Sequence, residues 1–396
     1  MKILAIHNYH RKGSASGDDQ VFKAETRLLE EHGQTVIRYT VSNDEFDAKG
    51  PLGKVFAAFG MLWSFKNYRA VRNLVRREHP DVVHIHTFFP LLSPSVLYAA
   101  KRGGSRVVVT LHDTRFVCPV ATSLRDGKIC NACGDGHYLR MVKYGCFKDS
   151  HLQSMLVAGI FKYHRIRQSF YNQIDQYICL NDNQIQLLEN IGFDSTKIVK
   201  KYNFVPDEQA NIKVNVPDAL PKRYVVFYGR IGAEKGIRVL QRIWNEIDDI
   251  PLVVMGSGPL EESFRRWAES RRNVFFLGYM PHEQCMAIVK GAEFVVFPSI
   301  WYEGCSMVEI ETESMGKPLI ATNLGFSAEA IQNGVNGYKV KLNDFVGFVN
   351  KVRELWNDSN LCRRMGIQAR IDYESKYTAE DSYQQLMAIY TRTTKG

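Results

Sequence analysis

Short apolar runs alternate with longer amphipathic stretches along almost the whole chain. Residues 2–8, 35–41, 81–87 and 106–111 are runs rich in Val, Ile and Leu, the pattern of strands buried on both faces. Between the first two, residues 18–32 repeat apolar positions at helical spacing and stop at Gly33, which gives a β-α-β opening. Residues 54–77 and 151–173 predict long helices, 176–180 a strand, 182–191 a helix, and 198–205 a strand that closes the first half. From 206 to 221 the chain is polar, carries three prolines and has no period, which predicts a linker. The alternation then resumes, with strands ending at Gly229 and at 252–255, 274–277, 294–298 and 319–322. A hairpin-like segment at 331–340 and further helices follow, the last at 379–393. Strands that alternate with helices predict an α/β protein with parallel sheets, built as two domains over 1–205 and 222–378.

Length and charge fit that division. A chain of 396 residues can bury two cores, and 45% hydrophobic with 23% charged residues is ordinary for a globular protein. The net charge of +9 lies wholly in residues 1–200, which hold 27 Lys and Arg against 18 Asp and Glu; the remainder holds 24 of each. Part of the excess falls on one arc of the 54–77 stretch: Lys66, Arg69, Arg72, Arg76 and Arg77, with Phe59, Leu62 and Phe65 nearby. Such an arc is either a solvated face or a contact for anionic lipid headgroups; no nucleic-acid motif accompanies it. The N-terminal run reads as a strand followed at once by His10, Arg11 and Lys12, without the pattern of a secretory leader. No stretch approaches the ~20 apolar residues that span a bilayer. The expectation is a cytoplasmic protein, peripheral at the inner face of a membrane if the basic arc binds lipid.

The chemistry concentrates in the second half. Residues 297–318 read F-P-S-I-W-Y-E-G-C-S-M-V-E-I-E-T-E-S-M-G-K-P: a strand end, a loop, a helix over 306–315, and a G-x-P stop. Glu303 falls in the loop before the helix N-terminus and Glu311 about two turns into the helix. Carboxylates accept hydrogen bonds from sugar hydroxyls, and a helix N-terminus favours a phosphate. An acidic amphipathic helix is the plainer reading, since Glu309 and Glu313 lie here too. Upstream, G-R-I-G-A-E-K-G at 229–236 places Arg230 and Lys235 at the end of a buried strand, where two cations can hold a diphosphate.

The first half offers candidates of a different kind. His84 and His86 project from one strand face, as metal ligands or as structural histidines, and His112 ends the next strand where open α/β sheets bind ligands. Gly13 and Gly17 lie in the loop before the first helix, suited to backbone approach to a ligand. Cys118, Cys130, Cys133 and Cys146 form C-x11-C-x2-C-x12-C. That spacing is compatible with tetrahedral zinc, with four free thiols, or with a redox-sensitive pair at 130 and 133; four thiolates would make any zinc structural.

Taken together, P-S…E-G…E…G-x-P and G-R-x-x-x-E-K-G resemble the nucleotide-sugar signature of the family 4 (GT4) glycosyltransferases. Cys305 and Ser306 stand where Phe-Gly is commoner. The resemblance implies the GT-B architecture, two Rossmann-like domains facing across a cleft, with residues 379–396 forming a helix that crosses back to the first domain. It implies a retaining transfer of sugar from a nucleoside diphosphate to an acceptor hydroxyl, on a glycan or a lipid-linked acceptor, with no obligate cofactor. By the same resemblance His112 touches the transferred sugar, Gly17 lies near the donor phosphate, and the backbone at Met280 meets the base. Glu303 and the segment Gly304, Cys305, Ser306 and Met307 hold the donor sugar, Glu311 the ribose, and Arg230 and Lys235 the diphosphate. The cysteines, within an insertion at 114–150, resemble those of a subgroup of the family. A nucleotide-sugar 2-epimerase shares this architecture, and a non-catalytic subunit of a polysaccharide assembly complex is the alternative outside enzymology.

Overall fold

The computed structural model describes residues 1–11, 16–47, 59–207, 212 and 219–395. These form two compact units, one of Met1–Lys201 with Ser382–Gly396 and one of Tyr202–Asp381. Gly13, the start of the 54–77 stretch and much of the 206–221 segment lie outside the described residues.

The first unit is built on six parallel strands: β1 (Lys2–Tyr9), β2 (Thr35–Ser42), β3 (Val82–Ile85), β4 (Arg106–Leu111), β7 (Gln176–Cys179) and β8 (Ile198–Lys200). Their order is β2-β1-β3-β4-β7-β8. β3 is buried at every position, as its apolar composition requires once helices cover both faces. A small antiparallel hairpin, β5 (Leu124–Arg125) and β6 (Lys128–Ile129), stands apart from that sheet. The second unit repeats the plan with β9 (Val225–Tyr228), β10 (Leu252–Met255), β11 (Val274–Gly278), β12 (Val295–Phe297), β13 (Leu319–Thr322) and β14 (Gly337–Val340), in the order β11-β10-β9-β12-β13-β14. Each unit is thus a parallel α/β sheet of Rossmann-like type. In each the strand order reverses direction at one point, between β1 and β3 and between β9 and β12. Crevices at such points are where open α/β sheets bind ligands.

Helix Ala379–Lys395 lays Leu386, Ile389 and Tyr390 against Ile3, Val82, Val108 and Ile178 of the first sheet. Three local expectations need correction. The 54–77 stretch is not one helix: Phe65–Glu78 starts afresh, capped by the Ser64 side chain, which accepts from the Asn67 amide. Arg72 is half-buried, so the basic arc is not uniformly solvated. The 151–173 helix ends as His151–Ile166, and Gln168 at φ 54° turns the chain before a short helix Ser169–Asn172. Residues 331–340 are not a hairpin, because β14 pairs in parallel with β13.

One turn fixes the local geometry of the second sheet. Gly236 caps helix Ile237–Asn245 with φ 74°, and a Cβ there would lie 1.8 Å from the Pro298 carbonyl oxygen. The turn after β9 can therefore press against the end of β12 only with glycine at this position. Gly236→Ala should destabilise the second unit by more than about 1 kcal/mol in urea unfolding. A midpoint unchanged from the parent would show that the close approach is dispensable.

Candidate active site

The close approach at Gly236 brings the two motifs of the second unit together. Lys235 Nζ lies 2.7 and 2.9 Å from the two carboxylate oxygens of Glu303. Ser299 Oγ donates to Glu303 Oε1 at 2.7 Å, and the same hydroxyl reaches the Glu234 carbonyl oxygen. Glu303 is buried, 7% exposed, and Lys235 also packs against the rings of Trp301 and Phe297. Gly325, at φ 56°, passes so near that a Cβ would meet the Glu303 backbone at 2.8 Å. Arg230 remains exposed and pairs with Glu234 at 3.3 Å, so it is beside the ion pair without joining it. Gly304, Cys305 and Ser306 are buried; the Cys305 carbonyl oxygen accepts from Asn203 Nδ2 at 2.9 Å. Met307 opens helix Met307–Ser314, whose N-terminus the Ser306 side chain does not cap. Met280 is half-buried just beyond β11.

That helix is not the solvated acidic helix its composition also allowed. Glu309, Glu311 and Glu313 are 0%, 4% and 4% exposed. Burial pushes Glu309 up to about 8, reinforced by the nearby Glu303 charge, and burial pushes Glu311 up to about 8 as well. Glu313 is likewise raised well above the usual carboxylate range by burial, with Glu309 and Asp372 adding to it. Ser327 donates to Glu309 Oε1 at 2.9 Å. Glu311 lies 3.7 Å from His282 Nε2 and next to the buried Tyr228. A carboxyl at Glu311 can accept from two vicinal hydroxyls once ionised.

In the first unit, His112 follows β4 with its Nε2 3.1 Å from His86 Nδ1 and its Nδ1 3.8 Å from Asp18. Asp18 adjoins Gly17, the exposed first residue of helix Gly17–Glu31, so the structure gathers two of the expected site residues at the carboxyl end of the sheet. His84 and His86 do acquire an acidic neighbour that sequence reasoning missed. Glu25 Oε1 lies 3.2 Å from His84 Nδ1 and 3.1 Å from His86 Nε2, and Lys201 Nζ lies 3.1 Å from Oε2. Burial opposes ionisation of Glu25, but Lys201 and the two histidines hold it well below the usual carboxylate range. The missed signal was positional. Glu25 occupies the buried stripe of its helix, among Val21, Phe22, Leu28 and Leu29.

The four cysteines follow a tight loop system. Asp126 and Gly127 form the β5–β6 turn, both at positive φ, and Cys130 comes directly after β6. Arg125 stacks on Tyr144 at 3.8 Å, tying the hairpin to the segment that carries Cys146. All four thiols are free and half-buried. Burial raises Cys133 to about 11, with Cys118, Cys146 and Cys130 each adding to the shift. The four thiols are a donor set whose type suits a divalent cation replacing thiol protons. They are looser than a closed shell: among the described residues, three or more ligand atoms within 4.8 Å of one another occur at Glu25, His84 and His86.

Residues 21–209 match the family model of Glycosyltransferase Family 4, and residues 208–372 match that of Glycosyl transferases group 1. The chain is 22% identical to the O-antigen chain mannosyltransferase C of Escherichia coli, over 99% of this chain and 98% of that protein. It is 24% identical to the alpha-D-kanosaminyltransferase of Streptomyces kanamyceticus, over 87% of this chain and 85% of that one. Its fold matches that of Anabaena HepE, solved in complex with UDP-glucose, with a TM-score of 0.67 at 15% identity over 99% and 100% of the two chains. Two Rossmann-like units with these relatives define a GT-B glycosyltransferase. Within that class, the chain belongs to family 4, the group 1 glycosyltransferases.

The raised carboxyl groups fix the sign of a pH dependence. Glu309 titrates near 8 in the folded state against ~4.3 when unfolded, so the folded state binds more protons between those values. Its contribution to stability is greatest below the unfolded value and falls as pH rises toward 8. Glu309→Gln should accordingly gain stability relative to the parent from pH 5 to pH 9, as read by thermal unfolding. A difference that stays constant across that range would contradict a protonated Glu309.

Proposed function

We propose that the protein transfers a sugar from a nucleoside diphosphate sugar to an acceptor hydroxyl, with retention of anomeric configuration, during assembly of a surface polysaccharide or glycolipid. The observation that carries this reading is the Lys235–Glu303 pair at the β9/β12 reversal, set against the uncapped N-terminus of helix Met307–Ser314. An incoming diphosphate competes with Glu303 for the Lys235 ammonium. Glu303 then accepts hydrogen bonds from the donor sugar, alongside the backbone of Gly304, Cys305, Ser306 and Met307. Lys235, Arg230 and the helix N-terminus oppose the charge that grows on the diphosphate as the sugar–oxygen bond breaks. The acceptor oxygen bonds to the same face of the anomeric carbon, and its proton passes to the departing phosphate. Glu311 accepts from the ribose hydroxyls, and the Met280 backbone meets the base. Gly17 is assigned to the donor phosphate and His112 to the transferred sugar. The names of the mannosyltransferase relative and of the UDP-glucose complex support a sugar-nucleotide donor and a polymeric product.

Two further assignments rest on the first unit. Structural zinc held by Cys118, Cys130, Cys133 and Cys146 is supported by the C-x2-C spacing and by the Arg125–Tyr144 contact that ties the hairpin to the Cys146 segment. Bound there, zinc would replace thiol protons and fix the hairpin segment. A cytoplasmic, anionic membrane surface carrying a lipid-linked acceptor is supported by apolar side chains among cations. Phe65 is 67% exposed beside Lys66 and Arg69, and Leu152 (72%) and Ile166 (69%) stand out near Lys148, Lys162 and Arg167. No helix among the described residues is long and apolar enough to cross a membrane.

The glutamate roles separate by calorimetry with UDP and UDP-sugars. Glu311→Gln should weaken both ligands by about 1–3 kcal/mol, since ribose is common to them. Glu303→Gln should weaken the sugar nucleotide alone, and free UDP should bind as well or better because Lys235 loses its competitor. Lys235→Ala should lower turnover by about two to three orders of magnitude. Equal loss of free-nucleotide affinity in both glutamate variants would refute the assignment. For the cysteines, protein purified without chelators should carry about one zinc per chain, and its removal should destabilise the first unit without changing nucleotide affinity. Four thiols titrating freely in folded protein, with well under half an equivalent of metal, would rule zinc out.

A further inference from the structure

A line of buried polar groups in the first unit leads from Lys201 through Glu25 and His86 to His112. Lys201 Nζ is 3.1 Å from Glu25 Oε2, Glu25 Oε1 is 3.1 Å from His86 Nε2, and His86 Nδ1 is 3.1 Å from His112 Nε2. We propose that Glu25 is a positioning residue which, through His86, sets the tautomer of His112, so that His112 offers a lone pair at Nδ1 to a hydroxyl of the transferred sugar.

Lys201 can only donate, so it keeps the Glu25 carboxylate ionised, and an ionised carboxylate only accepts. Glu25 Oε1 and His86 Nε2 are both buried, with no aligned hydrogen-bond partner. Two lone pairs 3.1 Å apart in a low-dielectric interior repel, so the single proton of a neutral His86 belongs on Nε2. Burial disfavours the charged form of both His86 and His112. His86 Nδ1 then presents a lone pair, and His112 Nε2 must bring the proton to it. What remains on His112 is an unprotonated Nδ1, 3.8 Å from the carboxylate of Asp18. Two acceptors side by side are a seat for a donor, and a sugar hydroxyl supplies one.

Glu25, His84 and His86 also have the spacing of a metal site. Against that use, Lys201 holds the same carboxylate, and His84 is committed on both nitrogens, to Tyr390 at 2.7 Å and to Thr110 at 2.8 Å. The relay accounts for Lys201, whereas a cation would be repelled by it.

Glu25→Gln inverts the relay by chemistry alone. Lys201 claims the amide oxygen, so the amide NH2 faces His86 Nε2, which must accept. His86 then carries its proton on Nδ1 and donates to His112 Nε2, leaving His112 protonated at Nδ1. Two-bond 15N–1H spectra of histidine-labelled full-length protein at neutral pH read these states directly. The parent should show His86 and His112 both protonated at Nε2, and Glu25→Gln should show both at Nδ1, with turnover down about tenfold and donor KM little changed. The parent spectrum stands as a test even if the variant does not fold. A parent His112 protonated at Nδ1, or His84 and His86 signals that move on treatment with EDTA, would overturn the relay. The catalytic half of the inference rests on the proposed contact of His112 with the sugar. Inverted tautomers with unchanged turnover would overturn that contact while leaving the relay in place.

Discussion

A lysine ammonium held by both oxygens of a buried carboxylate is the constraint on which the second unit depends. Charges taken out of water cost more than an average contact returns unless every lone pair is met. Here Glu303 receives Lys235 and Ser299, and the flanking backbone is drawn in around them. The Ile300 amide donates to the Glu234 carbonyl, and the Phe326 amide to the Glu303 carbonyl. Two glycines, Gly236 and Gly325, permit the backbone to come this close. The pair thus sits in a frame assembled from the ends of β9 and β12 and the turn after β13. Its geometry is set by the fold itself, and under the proposed function a diphosphate has only to exchange one anion for another at Lys235.

The two units use the reversal of strand order in different ways. In the second, the reversal between β9 and β12 collects charge: a cation, its carboxylate and a helix N-terminus. In the first, the reversal between β1 and β3 collects buried, hydrogen-bonded imidazoles. His7 donates to Asp19 at 2.8 Å while its other nitrogen meets Thr87, and His86 lies one strand away beside Glu25. The charged pair of the second unit keeps part of Lys235 at solvent, whereas His7, His84 and His86 of the first are buried.

How much of this could be read from the chain follows from which contacts are local. The strand–helix alternation and the two Rossmann-like sheets were legible because each buried strand is a contiguous apolar run. Lys235 and Glu303 were legible because their motifs are short and each lies at a strand end. Glu25 was not, since its partners His84, His86 and Lys201 come from distant strands and nothing local marks a glutamate as paired. The breaks at Ser64 and Gln168 escaped because a cap and a single left-handed residue interrupt an otherwise continuous helical pattern. The parallel pairing of β14 escaped for a related reason: direction in a sheet is decided by the partner strand, and Tyr338 aligns with Ile320 rather than folding back on its own neighbours.

The three buried glutamates of helix Met307–Ser314 show what the arrangement costs. A helix in this position packed with leucines would be the more stable choice, because buried carboxyls must stay protonated or find partners. Glu309 is raised chiefly by burial, with the Glu303 charge adding to the shift and Lys235 relieving it in part. On the proposed reading, a diphosphate that draws on Lys235 leaves the negative charge of Glu303 less compensated, and a protonated Glu309 keeps a second charge from adding to it. On that reading, the helix holds a neutral acid where a fixed anion would resist the proposed exchange at Lys235.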